Sequence, residues 1–308
     1  MKTLFLKLSL IIVITVTLSG FLFGFIVPKL LIRSGDGYIN RWHEFYSEKT
    51  NADLVCLGSS RVHRHFDPRI IDSITQLKTE VVATAGAQFN FYEKLYEDYL
   101  KRNPKPKLLV VGIDLTGLGL HPVVPNPEYF FPFIRPSDAI ADFDEFNVLK
   151  YCKPLGYFYY KELYYEKITN PEQAPHFAGY SPRNEPWDSE QEPFIGKFKN
   201  GFTLDINEQV IRDIFEFMSE QQKEGVKCIG VIAPEYYPVW KIENNRGEAL
   251  EKLHTMSIRY SVRVINFSDS AYKLCFNKND FYNSEHLNKA GAEIFSRDLA
   301  DSINKYDH

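Results

Sequence analysis

Five short apolar runs, each followed by a stretch with apolar residues at helical spacing, constrain the fold of this chain most. Asp53–Leu57, Glu80–Ala83, Lys107–Ile113, Val226–Ile232 and Val262–Asn266 read as strands. Asp67–Ile74, Phe91–Arg102, Asn207–Gln222, Glu248–Tyr260 and Lys289–Ile303 read as helices. Asp67 is an N-cap with Pro68 at the first helical position, and Gly225 stops the helix that begins at Asn207. Alternation at these spacings argues for a parallel sheet joined by right-handed crossovers. The expected fold class is α/β, an open three-layer sandwich around a central, mostly parallel sheet.

The first strand breaks off in Gly58-Ser59-Ser60-Arg61. Gly and two hydroxyls there present a serine at the carboxyl end of the sheet, where open α/β folds bind ligands. A serine hydroxyl is a weak nucleophile until a base takes its proton. Asn283-Ser284-Glu285-His286-Leu287-Asn288 directly precedes the last helix, and the topology can return His286 to the end of the first strand. Ser60 is the candidate nucleophile and His286 the candidate base. Helix capping is the alternative use of Ser59-Ser60, and a place in the N-cap region of the last helix is that of His286. Arg61, His63 and His65 follow the serine closely. They either line its pocket or form a solvated loop salt-bridged to Asp67 or Asp72, and the sequence favours the loop. His63 and His65 lack a supporting carboxylate or thiolate pattern, so no metal is expected, and no cofactor motif is present.

Leu8–Val27 carries no charge. Twenty such residues suffice to cross a hydrocarbon core about 30 Å thick. Lys2 and Lys7 precede the run and favour an N-terminus inside. The run exceeds a usual signal-peptide core and has no clean A-x-A site, although Ser19-Gly20 keeps a cleaved signal as the alternative. The expected organisation is a cytoplasmic tail (1–7), a single-pass signal anchor (8–27), a connector (28–50) and an extracytoplasmic domain (51–308).

From about Leu118 to Thr203 the α/β pattern is lost, and Pro and aromatics dominate. Insertions of this length are often functional lids. The aromatics offer stacking platforms for sugar rings, a docking face for a membrane partner or the lipid surface, or core packing of an elaborated domain. The net charge of −4 gives no footprint for nucleic acid. None of the four cysteines, Cys56, Cys152, Cys228 and Cys275, forms a C-x-x-C pair. Cys56 and Cys228 lie in strand-like runs and read as small buried hydrophobes. A Cys152–Cys275 bridge has no support in the sequence.

Gly58-Ser59-Ser60, Thr84-Ala85-Gly86, Gly112-Ile113-Asp114 and Asn283-Ser284-Glu285-His286-Leu287 together resemble the SGNH/GDSL hydrolase superfamily. The chain looks most like its membrane-anchored branch, linked to cell-envelope acyl transfer such as teichoic-acid D-alanylation and alginate O-acetylation. The resemblance covers roughly Asp53 to Ile303, with the aromatic insertion unmatched. It implies an SGNH/flavodoxin-like sandwich, Ser60 rather than Ser59 as nucleophile, His286 as base, and the backbone N–H groups of Ser60 and Gly86 as oxyanion donors. It also implies an esterase or O-acyltransferase acting through a Ser-His dyad. The partners would be an envelope polysaccharide or its acyl donor, a multi-span membrane acyltransferase, and the lipid bilayer through residues 8–27.

The chain departs from the family pattern twice. Asn283 stands where the family has the aspartate of D-x-x-H; it can orient an imidazole but cannot offset an imidazolium charge. Asp114 stands where the family has an oxyanion asparagine; a carboxylate cannot donate to an oxyanion, and Asp114 can instead orient His286 or a basic residue. Glu285 and Asp280 are the nearby carboxylates that can replace the missing aspartate, if the loop allows. These departures fit a Ser-His dyad, a slow acyltransferase, or a non-catalytic relative that binds glycan or assists a membrane acyltransferase.

Overall fold

A computed structural model describes residues 2–119, 123–189, 195–198, 200–269, 272 and 276–307. The chain divides into two compact units, residues 1–48 with 126–175, and residues 49–125 with 176–308.

The first unit is built on a continuous helical run, Lys2–Arg33, with a mean hydropathy of 2.6 over its most apolar window. Its 32 residues extend about 48 Å, long and apolar enough to cross a membrane. A π-helical turn over Leu22–Ile26 precedes Pro28, where the Val27 N–H bonds the Leu22 carbonyl. Pro28 has no N–H to give to the carbonyl four residues back, and the wider turn absorbs that mismatch. The 28–50 stretch expected as a connector carries a second helix, Gly37–Ser47. Asp36 caps it by accepting from the Tyr38 and Ile39 N–H groups at 3.1 Å. The other Asp36 carboxylate oxygen accepts from the Glu172 N–H at 3.0 Å, tying this helix to the middle of the chain. Trp42 lies 4.1 Å from the Phe130 ring, centroid to centroid.

The second unit holds a five-stranded sheet of β1 (Leu54–Gly58), β2 (Thr79–Ala83), β3 (Leu108–Gly112), β4 (Lys227–Ile232) and β5 (Arg263–Asn266). Every pairing is parallel, and the order is β2-β1-β3-β4-β5. β1, β2 and β3 are buried along their whole length, which explains why they read as unbroken apolar runs rather than alternating ones. Leu54, Cys56, Val81, Ala83, Leu108, Val110, Ile229 and Val231 share one core with Phe295, Leu299 and Ile303 of the last helix, Lys289–Asp307. The intervening strand residues point to the opposite face by the two-residue repeat. Helices Phe89–Leu100 and Glu208–Lys223 cover that face. Asp67 caps the helix Pro68–Thr75 by accepting from the Arg69 N–H at 3.0 Å. Cys56 and Cys228 are buried free thiols, and Cys152 is exposed. Cys275 lies outside the described residues.

In this strand order the chain runs from β1 to β2 on one side, then crosses back past β1 to β3 on the other and continues in that direction. The crevice outside the carboxyl ends of β1 and β3 is therefore the topological switch point. Gly58 is level with Ala83, and Gly112 with Val231. The chain segments after β1, β2 and β3 thus leave the sheet at a common height, and the segment after β4 leaves it one residue further on.

Candidate active site

Beyond Gly58 the chain turns at once into a short helix, Ser60–His65, with Ser59 at its N-cap. Two glycines make this tight turn possible. A Cβ on Gly58 would sit 2.4 Å from Val62 Cγ2, and one on Gly112 2.2 Å from the same atom. Val62 can lie over the ends of β1 and β3 only because both strands end in glycine.

The histidine arrives on a small closed loop. Phe281 and Leu287 form an antiparallel bridge, and the Tyr282 N–H bonds the His286 carbonyl at 3.1 Å. Asn283 organises the loop as an Asx turn, its Oδ1 accepting from the Glu285 N–H at 3.0 Å and the His286 N–H at 2.8 Å. The same oxygen lies 3.0 Å from His286 Nδ1. Because two backbone N–H groups already point at this atom, it must be the carbonyl oxygen of the amide and not its NH2. Nδ1 therefore carries the proton, and Nε2 presents a lone pair. Nε2 lies 2.7 Å from Ser60 Oγ, so the serine hydroxyl donates to it. Tyr282 stacks on the imidazole at 5.5 Å with a 15° interplanar angle. Ser60 and His286 both remain partly exposed.

Arg61, His63 and His65 are all buried, contrary to the solvated loop expected for them. The reason is the turn at Ser60, which folds these residues inward beneath the last helix. His63 Nδ1 lies 2.9 Å from the Gly179 carbonyl. His65 Nε2 accepts from the Leu287 N–H at 3.0 Å, and Ser296 of the last helix donates to the His65 carbonyl at 2.9 Å. His65 thus ties the serine turn to the residue next to His286. No salt bridge joins Arg61 to Asp67 or Asp72 among the described residues; Asp67 pairs with Arg69.

Arg61 instead pairs with Glu235 at 2.7 Å and lies 3.5 Å from Asp114. Glu235 also takes Arg246 at 2.7 Å, and Arg246 reaches Glu243 and the Ser268 hydroxyl and carbonyl. Burial alone pushes the Glu235 carboxyl up, but Arg61 and Arg246 outweigh it and hold it below its ordinary value. The Arg61 guanidinium is likewise held charged, burial opposing and the Glu235 and Asp114 carboxylates prevailing. Glu235 and Arg246 escaped the sequence reading. The available signal was positional: Glu235 stands just beyond the end of β4, as Asp114 does beyond β3.

Asp114 makes its contacts with Ser59 and Arg61, so it engages the basic residue and not His286. Asp280 is committed elsewhere, closing a capping box with Asn277. Glu285 acts on Arg61 through its charge, and the side chain that bonds the His286 ring at Nδ1 is Asn283. Gly86, in the turn after β2, has a left-handed backbone with φ +78°, and that turn starts level with the end of β1. Burial, together with the charges of Arg61, Arg64 and Arg183, lowers the His286 pKa to about 3. The imidazole is therefore a neutral acceptor over the whole ordinary pH range. No group of three or more His, Cys, Asp or Glu suited to a metal occurs among the described residues.

No protein-family model matches the sequence, and no curated protein matches it.

Proposed function

We propose that the protein is an extracytoplasmic serine esterase or O-acyltransferase of the SGNH type, acting on acyl esters of an envelope polysaccharide through a Ser60–His286 dyad. The observation that carries this reading is the Ser60 Oγ to His286 Nε2 contact of 2.7 Å, with the tautomer set by Asn283. Ser60 Oγ attacks the ester carbonyl while its proton passes to Nε2. The tetrahedral intermediate collapses, and the imidazolium returns the proton to the departing alcohol, leaving an acyl-Ser60. Water or a sugar hydroxyl then attacks that ester, gives its proton to Nε2, and releases the acid or the transferred ester. Ser60 opens a helical turn, so its N–H has no partner within the helix and is available to an oxyanion, with the Gly86 N–H as the second donor.

The Asn283 geometry bears on the first departure from the family pattern. An amide beside a catalytic histidine is damaging when it selects the wrong tautomer. Here the backbone holds its oxygen towards the ring, so orientation is kept and only the charge is lost. The apolar run Lys2–Arg33 supports single-pass anchoring, and Lys2 and Lys7 ahead of the uncharged stretch favour an N-terminus inside, which would leave the Ser60 unit outside the cytoplasm.

A specific observation favours a second reading, a non-catalytic glycan-binding or accessory protein. Burial and three guanidinium groups disfavour the imidazolium, and the side chain that faces Nδ1 is the uncharged amide of Asn283. Labelling with a fluorophosphonate probe separates the two. The esterase reading expects wild type to react and Ser60→Ala not to react. If neither reacts while glycan binding persists, the accessory reading replaces it.

A further inference from the structure

The first unit turns a set of large apolar side chains outward. Tyr151, Leu155, Phe158 and Tyr159 are 74%, 47%, 56% and 70% exposed. Leu155, Phe158 and Tyr159 stand at i, i+3 and i+4, one face of the helix Lys153–Tyr159, and Tyr151 ends the short turn just before it. The opposite side of this element is well packed. Gly156 and Tyr157 are buried, and a Cβ on Gly156 would fall 1.9 Å from the Phe131 ring, so the outward face is fixed in place. A helix with its aromatic face outward is the reverse of the usual arrangement in water.

Its neighbour suggests what covers it. Lys153–Tyr159 packs against the π-turn Leu22–Ile26 and the end of the apolar helix before it. Leu22–Ile26 forms the last turn of the uncharged run, and Lys29 and Arg33 follow at once. The outward face therefore lies at the level where that run ends. Tyr with flanking Lys is the chemistry of the membrane–water boundary, where rings sit among headgroups and ammonium groups snorkel outward. Lys161, half exposed, lies 4.9 Å from the Phe158 ring, as such anchors do.

We infer that residues 151–159 form an interfacial anchor whose aromatic face is buried among lipid headgroups beside the exit of the apolar helix. The occupant is the bilayer surface itself. The inference rests on the reading of Lys2–Arg33 as a membrane span. It adds a second, in-plane attachment that would limit tilting and rotation of the first unit at the membrane.

The test uses the full chain in phosphatidylcholine–phosphatidylglycerol vesicles, with Cys152→Ser and Cys275→Ser as background and an environment-sensitive fluorophore on one introduced cysteine. The introduced changes are Tyr159→Cys, Leu155→Cys, Ile12→Cys within the apolar run, and Ile258→Cys on the exposed surface of the second unit. Labels at 155 and 159 should be blue-shifted and quenched by lipids carrying a nitroxide near the headgroup. The label at 12 should be quenched by a deep acyl-chain nitroxide, and the label at 258 by neither. Labels at 155 and 159 as wet as the one at 258, with 12 still quenched, would overturn the anchor alone. A blue shift at 155 and 159 without lipid quenching would also overturn it, in favour of cover by a second copy of the chain. An unquenched label at 12 would instead remove the spanning reading on which the anchor depends.

Discussion

Replacing Asn283 by Asp changes the charge beside the imidazole and little else. In the native loop the Asn283 Oδ1 lies 3.0 Å from His286 Nδ1 and accepts two backbone N–H groups. Asn283→Asp keeps these acceptors and puts a carboxylate in contact with the ring. His286 titrates at about 3 in the native chain, because burial and then Arg61, Arg64 and Arg183 oppose its charge. A contacting carboxylate raises such a pKa by about 1 to 3 units, which places it at about 4 to 6 in the variant. The imidazolium is then stabilised by about 1.4 to 4 kcal/mol, or about ten- to a thousandfold in a step limited by its formation. With an aryl acetate as substrate, the plateau of kcat/KM should rise, and its acid limb should move up by the same 1 to 3 units or so. NMR titration of the His286 ring in the detergent-solubilised full chain reads the same shift without any substrate.

Folding stability should follow with a defined sign. The folded pKa of about 3 lies below the ordinary 6.5, so the unfolded chain binds the extra proton between these values. Stability is intact above about pH 6.5 and is lost as pH falls towards about 3, at up to about 1.4 kcal/mol per unit. Asn283→Asp shortens that window from below, so the variant should lose less stability in acid. A His286 that titrates no higher in the variant than in wild type would refute the assignment of Asn283 as the group facing Nδ1.

Other outcomes follow from the packing around the dyad. Glu235→Gln leaves the buried Arg61 and Arg246 without their shared carboxylate and should cost about 3 to 5 kcal/mol in urea unfolding. Lys105→Ala, which opens an exposed pair with Glu224, should cost under about 1 kcal/mol. Gly112→Ala drives a methyl into Val62; it should destabilise by about 1 to 3 kcal/mol and slow fluorophosphonate labelling of Ser60, since it displaces the serine turn. His65→Leu leaves the Leu287 N–H buried and unpaired. It should cost about 1 to 3 kcal/mol and slow Ser60 labelling, with the far-UV circular dichroism unchanged.

The strands were legible because parallel strands buried on both faces are nearly pure apolar runs. Each begins within about one residue of the expected position. The Asp67-Pro68 cap was legible for a local reason, a side chain bonding the N–H two residues on. The serine at the end of β1 and the histidine before the last helix could be matched from topology alone. The inward fold of Arg61, His63 and His65 could not. Their partners are Glu235, Gly179 and Leu287, more than a hundred residues away, and polar residues after a strand look the same whether solvated or paired. The grouping of residues 126–175 with 1–48 was also hidden. It depends on contacts such as Asp36 with Glu172 and Trp42 with Phe130, which leave no periodic trace in an aromatic-rich sequence.

The shared height of the strand ends makes strand length, rather than loop sequence, the guarded quantity in this molecule. Gly58, Ala83 and Gly112 end their strands level with one another and with Val231, one residue before the end of β4, so the residues beyond them are delivered to one ledge. Inserting one residue within Leu54–Gly58 would carry Ser60 about 3.3 Å outward and exchange the faces of every side chain after it. An added residue in the segment from Gln76 to Lys78, at the opposite edge, would lengthen a surface turn and leave the ledge where it is. Variation among relatives of this chain should therefore collect at the amino ends of the strands and in the long insertion, and stop at the ledge.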